Sequence, residues 1–136
     1  MTKNMGKQKK LILLLNHTIS EYQKKSAEDN LKVNRFIFLP PDLKQKWGNI
    51  PPDLESIDHF LGPIKKWLEN KTGKNDYILI QGDFGASYLM VEFAFKQQLV
   101  PVYATSERRA FESVQEDGTV KMEHVFKFCR FRKYGQ

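Results

Sequence analysis

Three short stretches of this 136-residue chain hold side chains that could do chemistry. The first is Asn16-His17-Thr18, an amide, an imidazole and a hydroxyl in a row. Histidine titrates near neutral pH and is the commonest general acid or base. His17 is therefore the candidate for proton transfer, with Asn16 and Thr18 beside it to position a substrate. The same three residues would equally serve as a polar turn. The second stretch is Gln81-Gly82-Asp83-Phe84-Gly85-Ala86-Ser87. Gly82 and Gly85 let the backbone turn sharply and come close to a ligand. Asp83 can cap a following helix, whose free N–H groups suit a phosphate. Neither G-x-x-x-x-G-K-[ST] nor G-x-G-x-x-G is present, so the plain alternative is a tight strand-to-helix turn. The third is Thr105-Ser106-Glu107-Arg108-Arg109. An arginine fork binds phosphate oxygens bidentately and can stabilise a charged transition state. Its alternative is the exposed, charged entrance to a hairpin. His59 reads as exposed and His124 as structural. No group of His, Cys, Asp or Glu has metal-ligand spacing, so neither a metal nor another cofactor is expected.

The elements that must hold these stretches follow from the apolar pattern. Residues 11–15 and 77–80 are continuous apolar runs, as buried parallel strands are, and each feeds one of the first two stretches. Thr18 or Ser20 can cap a polar helix over roughly residues 21–30, and residues 33–39 form a second strand. Pro40-Pro41-Asp42-Leu43 and Pro51-Pro52-Asp53-Leu54 echo each other, and both predict a helix start with the aspartate as cap. Leu54, Ile57, Leu61, Ile64, Trp67 and Leu68 have helical spacing, with Gly62-Pro63 as a kink or restart. The helix from Phe84 is apolar nearly all round and needs cover on more than one side, which predicts a second subunit. Residues 100–104 form a fourth strand that ends at the third stretch. Residues 110–114 and 120–128 flank an Asp117-Gly118 turn and predict an antiparallel hairpin. In its second arm Val120, Met122, His124, Phe126 and Phe128 form one apolar face.

Strand and helix alternating, then a hairpin, predict an α/β domain with a mainly parallel sheet, helices on both faces and a C-terminal β-hairpin. With strand order 2-1-3-4, the ligand crevice lies between the carboxyl ends of the first and third strands, bounded by Asn16-His17-Thr18 and residues 81–87.

Composition narrows the function. A formal net charge of +6 favours an anionic partner, though much of the excess lies near the two ends, from Lys3 to Lys10 and from Lys127 to Lys133. Residues 1–10 are expected to be a flexible basic tail and residues 11–136 a single domain. The single cysteine, Cys129, excludes an internal disulfide framework and fits a reducing cytoplasm. The apolar run at 11–15 is too short for a membrane span or a signal-peptide core. No nucleic-acid-binding motif is present, which argues against a DNA-binding role.

Several segments together resemble a known family. Ile50-Pro51-Pro52-Asp53-Leu54-Glu55-Ser56, the stretch from Gln81 to Val91, and Pro101-Val102-Tyr103-Ala104-Thr105 are similar to a small family that accompanies type III CRISPR systems. Glu116-Asp117-Gly118-Thr119-Val120 and the segment from Phe126 to Tyr134 continue the resemblance, which spans roughly residues 11–134. It implies a stand-alone CARF-like (Rossmann-type) domain and a ring nuclease. Such a protein binds a cyclic oligoadenylate messenger, most often cyclic tetra-adenylate, across a homodimer, and cuts it without a metal. The alternative is a sponge or sensor that holds the ring without cutting. On this reading His17 is the acid or base and Arg108 or Arg109 stabilises charge. Asn16, Thr18, Gln81, Gly82, Phe84, Gly85, Ser87, Thr105 and Ser106 line the ligand. Asp83 is either the helix cap or a ribose contact.

Overall fold

The structure is a computed structural model and describes residues 9–136. Apolar alternation on the first strand, β1 (Lys10–Leu14), divides the core in two. Ile12 and Leu14 face one side of the sheet, and Leu11, Leu13 and Leu15 the other. Strand β2 (Arg35–Phe38) pairs parallel to β1 on one flank, and β3 (Tyr77–Ile80) does so on the other. Strand β4 (Val100–Val114) runs parallel to β3, and β5 (Val120–Lys133) antiparallel to β4. The sheet is therefore mixed and mostly parallel, in the order β2-β1-β3-β4-β5.

Helices fill both faces. The chain steps from β1 to β2 in one direction, then back across β1 to β3 and β4. Crossovers of one hand put the first helix on one face and the later ones on the other. That is the division observed. Helix α1 (Glu21–Ser26) opens on a capping box, in which Ser20 Oγ accepts from the Gln23 N–H and Gln23 Oε1 accepts from the Ser20 N–H. It continues as a π-helical turn, Ala27–Leu31, which closes on Lys32 in the left-handed region (φ 59°). Ala27, Leu31 and Ile19 pack with Leu11, Leu13 and Phe131. The opposite layer holds α2 (Pro41–Gly48), α3 (Gly62–Lys71) and α4 (Phe84–Lys96), which bury Leu43, Trp47, Ile64, Leu68, Met90 and Phe93 against Ile12, Leu14, Ile78 and Ile80.

Four expectations need correction. Residues 1–8 of the proposed tail lie outside the described residues, but Lys10 already pairs in β1 and the Lys9 carbonyl accepts from the Asn34 N–H. Only the first Pro-Pro-Asp-Leu starts a helix. There Pro40 stands at the cap position and Asp42 lies inside the first turn, making no cap bond. The second copy is a turn. Each residue before a proline is biased away from helical backbone, and α3 starts instead at Gly62, with Pro63 in its first turn. Leu54 and Ile57 thus precede the helix, whose buried stripe begins at Leu61.

The fourth strand and the hairpin are one feature. Between Thr105 and Arg109 no turn residue interrupts the chain, and the polar run marks solvent on both sides rather than a break. Beyond Thr105 the β4–β5 ribbon projects past the carboxyl edge of the sheet and is exposed almost throughout. Its apolar face is open: Val114, Val120, Met122 and Phe126 are half or more exposed, and only Phe128 is covered, by Tyr22 and Phe131. A bulge at Cys129 lets Phe128 and Phe131, three residues apart, face the same side. Among the described residues, no helix is long and apolar enough to cross a membrane.

Candidate functional site at the carboxyl edge of the sheet

Strand order reverses between β1 and β3, so their carboxyl ends diverge and leave a crevice. Asn16-His17-Thr18 leave β1 on one side of it, and Gln81-Gly82-Asp83 leave β3 on the other. The end of α2 wedges between them. Trp47 is almost fully buried and donates its Nε1–H to the Gln81 carbonyl at 2.9 Å. A Cβ on Gly82 would stand 2.8 Å from that nitrogen, and one on Gly48 would stand 2.9 Å from Asn16 Cβ. Both glycines are required by close approach.

Asp83 is the cap of α4. Its Oδ2 accepts from the Ala86 N–H at 3.0 Å, and its carbonyl accepts from the Ser87 N–H at 2.8 Å. The turn at Gly82 and Asp83 forms a ridge with a concavity on each side. One, of about 330 Å³, is lined by Asn16, Trp47, Gly48, Asn49, Ile50, Gly82 and Asp83. The other, of about 440 Å³, is lined by Gln81, Gly82, Phe84, Ser87, Tyr88, Val91, Tyr103 and Tyr134. Four aromatic rings and two polar side chains surround this second space. Tyr134 donates to the Ile80 carbonyl at 2.7 Å, and its ring lies 4.8 Å from that of Tyr103. Burial, and then neighbouring Tyr103, hold the Tyr134 hydroxyl above its ordinary pKa, so it stays a donor. Arg132 reaches the Tyr103 hydroxyl at 3.2 Å and stacks over its ring. Gln81 Oε1 accepts from the Ala104 N–H at 3.4 Å, tying the end of β3 to β4.

The sequence candidates divide into groups. Asn16, Gly82 and Asp83 come together at the smaller cavity, and Gln81, Gly82, Phe84 and Ser87 at the larger. Gly85 lies in the first turn of α4, beside Ile57. His17 and Thr18 are exposed on the loop after β1 and line neither cavity. The His17 Nδ1 lies 3.1 Å from the Thr18 carbonyl, close enough to donate to it, while Nε2 has no such neighbour on the loop. Thr105 Oγ1 donates to the Arg130 carbonyl and accepts from the Arg130 N–H, so it closes the bulge. Ser106 follows it, exposed, at the base of the ribbon.

Arg108 and Arg109 lie farther out and on opposite faces. Arg108 shares the apolar face with Phe126, directly across, and lies 3.3 Å from the His124 Nδ1. Arg109 pairs with Glu107 at 3.3 Å on the other face. Neither lines a cavity of its own chain at the carboxyl edge. Among the described residues, no three His, Cys, Asp or Glu side chains are arranged to hold a metal ion.

Residues 9–132 match the uncharacterized protein MJ1673 family. The chain belongs to this family. It is 49% identical over 125 residues to uncharacterized protein MJ1673 of Methanocaldococcus jannaschii, a match that covers 92% of this chain and 96% of the relative. The MJ1673-family match therefore takes in the smaller cavity, the larger one except for Tyr134, and the ribbon up to Arg132. No solved structure shows significant similarity to the chain.

Sequence reasoning missed Trp47, Gly48, Asn49 and Ile50 on one side of the ridge, and Tyr88, Val91, Tyr103 and Tyr134 on the other. Tyr88 and Val91 had a signal, since Phe84, Tyr88, Val91 and Phe95 follow each other by four, three and four residues on α4. Tyr134 had none, because only the antiparallel return of β5 brings it beside Ile80.

Proposed function

We propose that this protein is a CARF-like, Rossmann-type ring nuclease that binds a cyclic oligoadenylate, cyclic tetra-adenylate foremost, and cleaves it without a metal. The observation that carries the reading is the larger cavity, with Phe84, Tyr88, Tyr103 and Tyr134 around it and Ser87 and Gln81 between them. Stacking on aromatic rings is how proteins hold unpaired bases. The cavity also adjoins the amino end of α4, where backbone N–H groups favour phosphate oxygens. A two-fold ring suits the two-fold axis of a homodimer, with each subunit presenting the same strand ends.

The reaction needs a ribose and little else. The 2′-oxygen attacks the adjacent phosphorus as its proton leaves to a base. The bond from phosphorus to the 5′-oxygen breaks, and that oxygen takes a proton. The products carry a 2′,3′-cyclic phosphate and a 5′-hydroxyl. Alignment supplies much of the rate, and an acid or base adds about 10²–10⁴-fold. His17 is our candidate for that group, through Nε2.

A second reading keeps the ligand and drops the cut. His17 and the ribbon arginines stand apart from the cavities of their own chain, which suits a protein that holds the ring as a sponge or sensor. Equilibrium binding separates these readings from a general nucleic-acid binder. The ring should bind more tightly than linear tetra-adenylate or duplex DNA, with a shallow salt dependence. Equal affinity for all three, falling steeply with salt, would overturn both.

A further inference from the structure

Among the apolar surfaces left exposed by the described residues, two match each other in size. On α4, Phe84 is 94% exposed, and Tyr88 and Phe95 are more than half exposed on the same stripe. On the ribbon, Val114, Val120, Met122 and Phe126 share one face and are half to three-quarters exposed. Each set presents on the order of 400 Å² of apolar side chain, taking whole aromatic side chains as roughly 200 Å². Together they supply about the 800 Å² that one partner buries in a standard interface. A two-stranded ribbon is marginally stable alone, and this one has two open edges beyond the sheet, so the fold leaves it in need of a partner.

We infer that the partner is a second copy of this chain, and that the ribbon is a dimerisation arm. Its apolar face lies on the α4 stripe of the other subunit, reciprocally, as a two-fold contact requires. The consequence is chemical as well as structural. Arg108 and His124 lie 3.3 Å apart within that face, which also carries Glu112 opposite Met122. Phe84 and Tyr88, on which the arm lies, also line the aromatic cavity. The arm therefore carries Arg108 to the mouth of the other subunit's cavity, where it adds a second guanidinium to that of Arg132, which stacks on the cavity's own Tyr103. The contact between subunits does not depend on the ligand. The role of Arg108 as a phosphate clamp does rest on the reading given above. Arg109, paired with Glu107 on the opposite face, stays in solvent.

Sedimentation of the ligand-free full chain tests the arm. The wild type should be a dimer, and Met122→Glu with Phe126→Glu should give a monomer with an unchanged circular dichroism spectrum. Both changes are on exposed side chains, so folding is not at stake. A wild-type monomer, or a double variant that stays dimeric, would overturn the inference. A second experiment reads the geometry. In a Cys129→Ser background, chains carrying Phe84→Cys are mixed with chains carrying Phe126→Cys. Oxidation should link the two kinds of chain. Links only between chains of one kind would overturn the arrangement. For Arg108, the dimeric Arg108→Ala variant should bind cyclic tetra-adenylate at least ten-fold more weakly than wild type. Unchanged affinity would remove the clamp and leave the arm. A dimer of this geometry that binds no cyclic tetra-adenylate at all would uphold the arm and reject the ring reading.

Discussion

The indole of Trp47 lies against Gly82 so closely that a single added methyl would collide with it, at 2.8 Å from Nε1. The same indole donates to the Gln81 carbonyl, one residue before. This contact fixes the ridge between the two cavities to the end of α2, and so joins residues far apart in the chain.

Gly82→Ala should therefore act on the ridge as a whole. Overpacking of this kind costs about 1–3 kcal/mol. Chemical denaturation should show that loss, and both ligand affinity and Trp47 fluorescence should change with it. An alanine variant as stable as wild type would mean that the ridge can shift freely.

Asp83 can be assigned by two substitutions. Asp83→Ala removes the cap of α4 and should cost about 1 kcal/mol, whereas Asp83→Ser should keep most of the stability. Ligand affinity of the serine variant then decides between cap and ribose contact, and we expect it to stay near wild type.

Tyr134 gives a pH signature. Its hydroxyl pKa is raised above 10.0 by burial, so the folded protein holds that proton more tightly than the unfolded chain does. The stabilisation is complete below pH 10 and is lost as pH rises through the folded value. Melting temperature should fall above pH 10 by less in Tyr134→Phe than in wild type. At neutral pH the same variant should lose about 1–2 kcal/mol, because the Ile80 carbonyl is left without its donor.

Tyr103→Ala opens one wall of the aromatic cavity. A stacked base is worth about 1–3 kcal/mol, so affinity for cyclic tetra-adenylate should fall roughly 5- to 150-fold. Calorimetric titration reads this directly. Unchanged affinity would move the base elsewhere.

The fold was legible where periodicity is local. Two apolar runs without charges marked β1 and β3, whereas the step back across β1 was an assumed strand order that no local pattern supplies. The edge of the site was legible only once that order was assumed, since the point of reversal then lies at Asn16 and Gln81. The other walls were not. Trp47 enters through a helix whose start the prolines marked but whose end nothing local fixed. Tyr134 arrives on a returning strand that had to be followed through a Cys129 bulge. The polar run Glu107-Arg108-Arg109 looked like a boundary because solvent on both faces and a chain break leave the same trace in sequence. The second Pro-Pro-Asp-Leu failed as a helix start because the local signal was equal to that of the first, while Pro63 offered a better one ten residues on.

The central claim is tested most directly by incubating the purified protein with cyclic tetra-adenylate in EDTA and resolving the products by chromatography. Linear di-adenylate ending in a 2′,3′-cyclic phosphate is the predicted product, and His17→Ala should form it about 10²–10⁴-fold more slowly under single turnover. A ring that stays intact after prolonged incubation, bound or unbound, would contradict the nuclease.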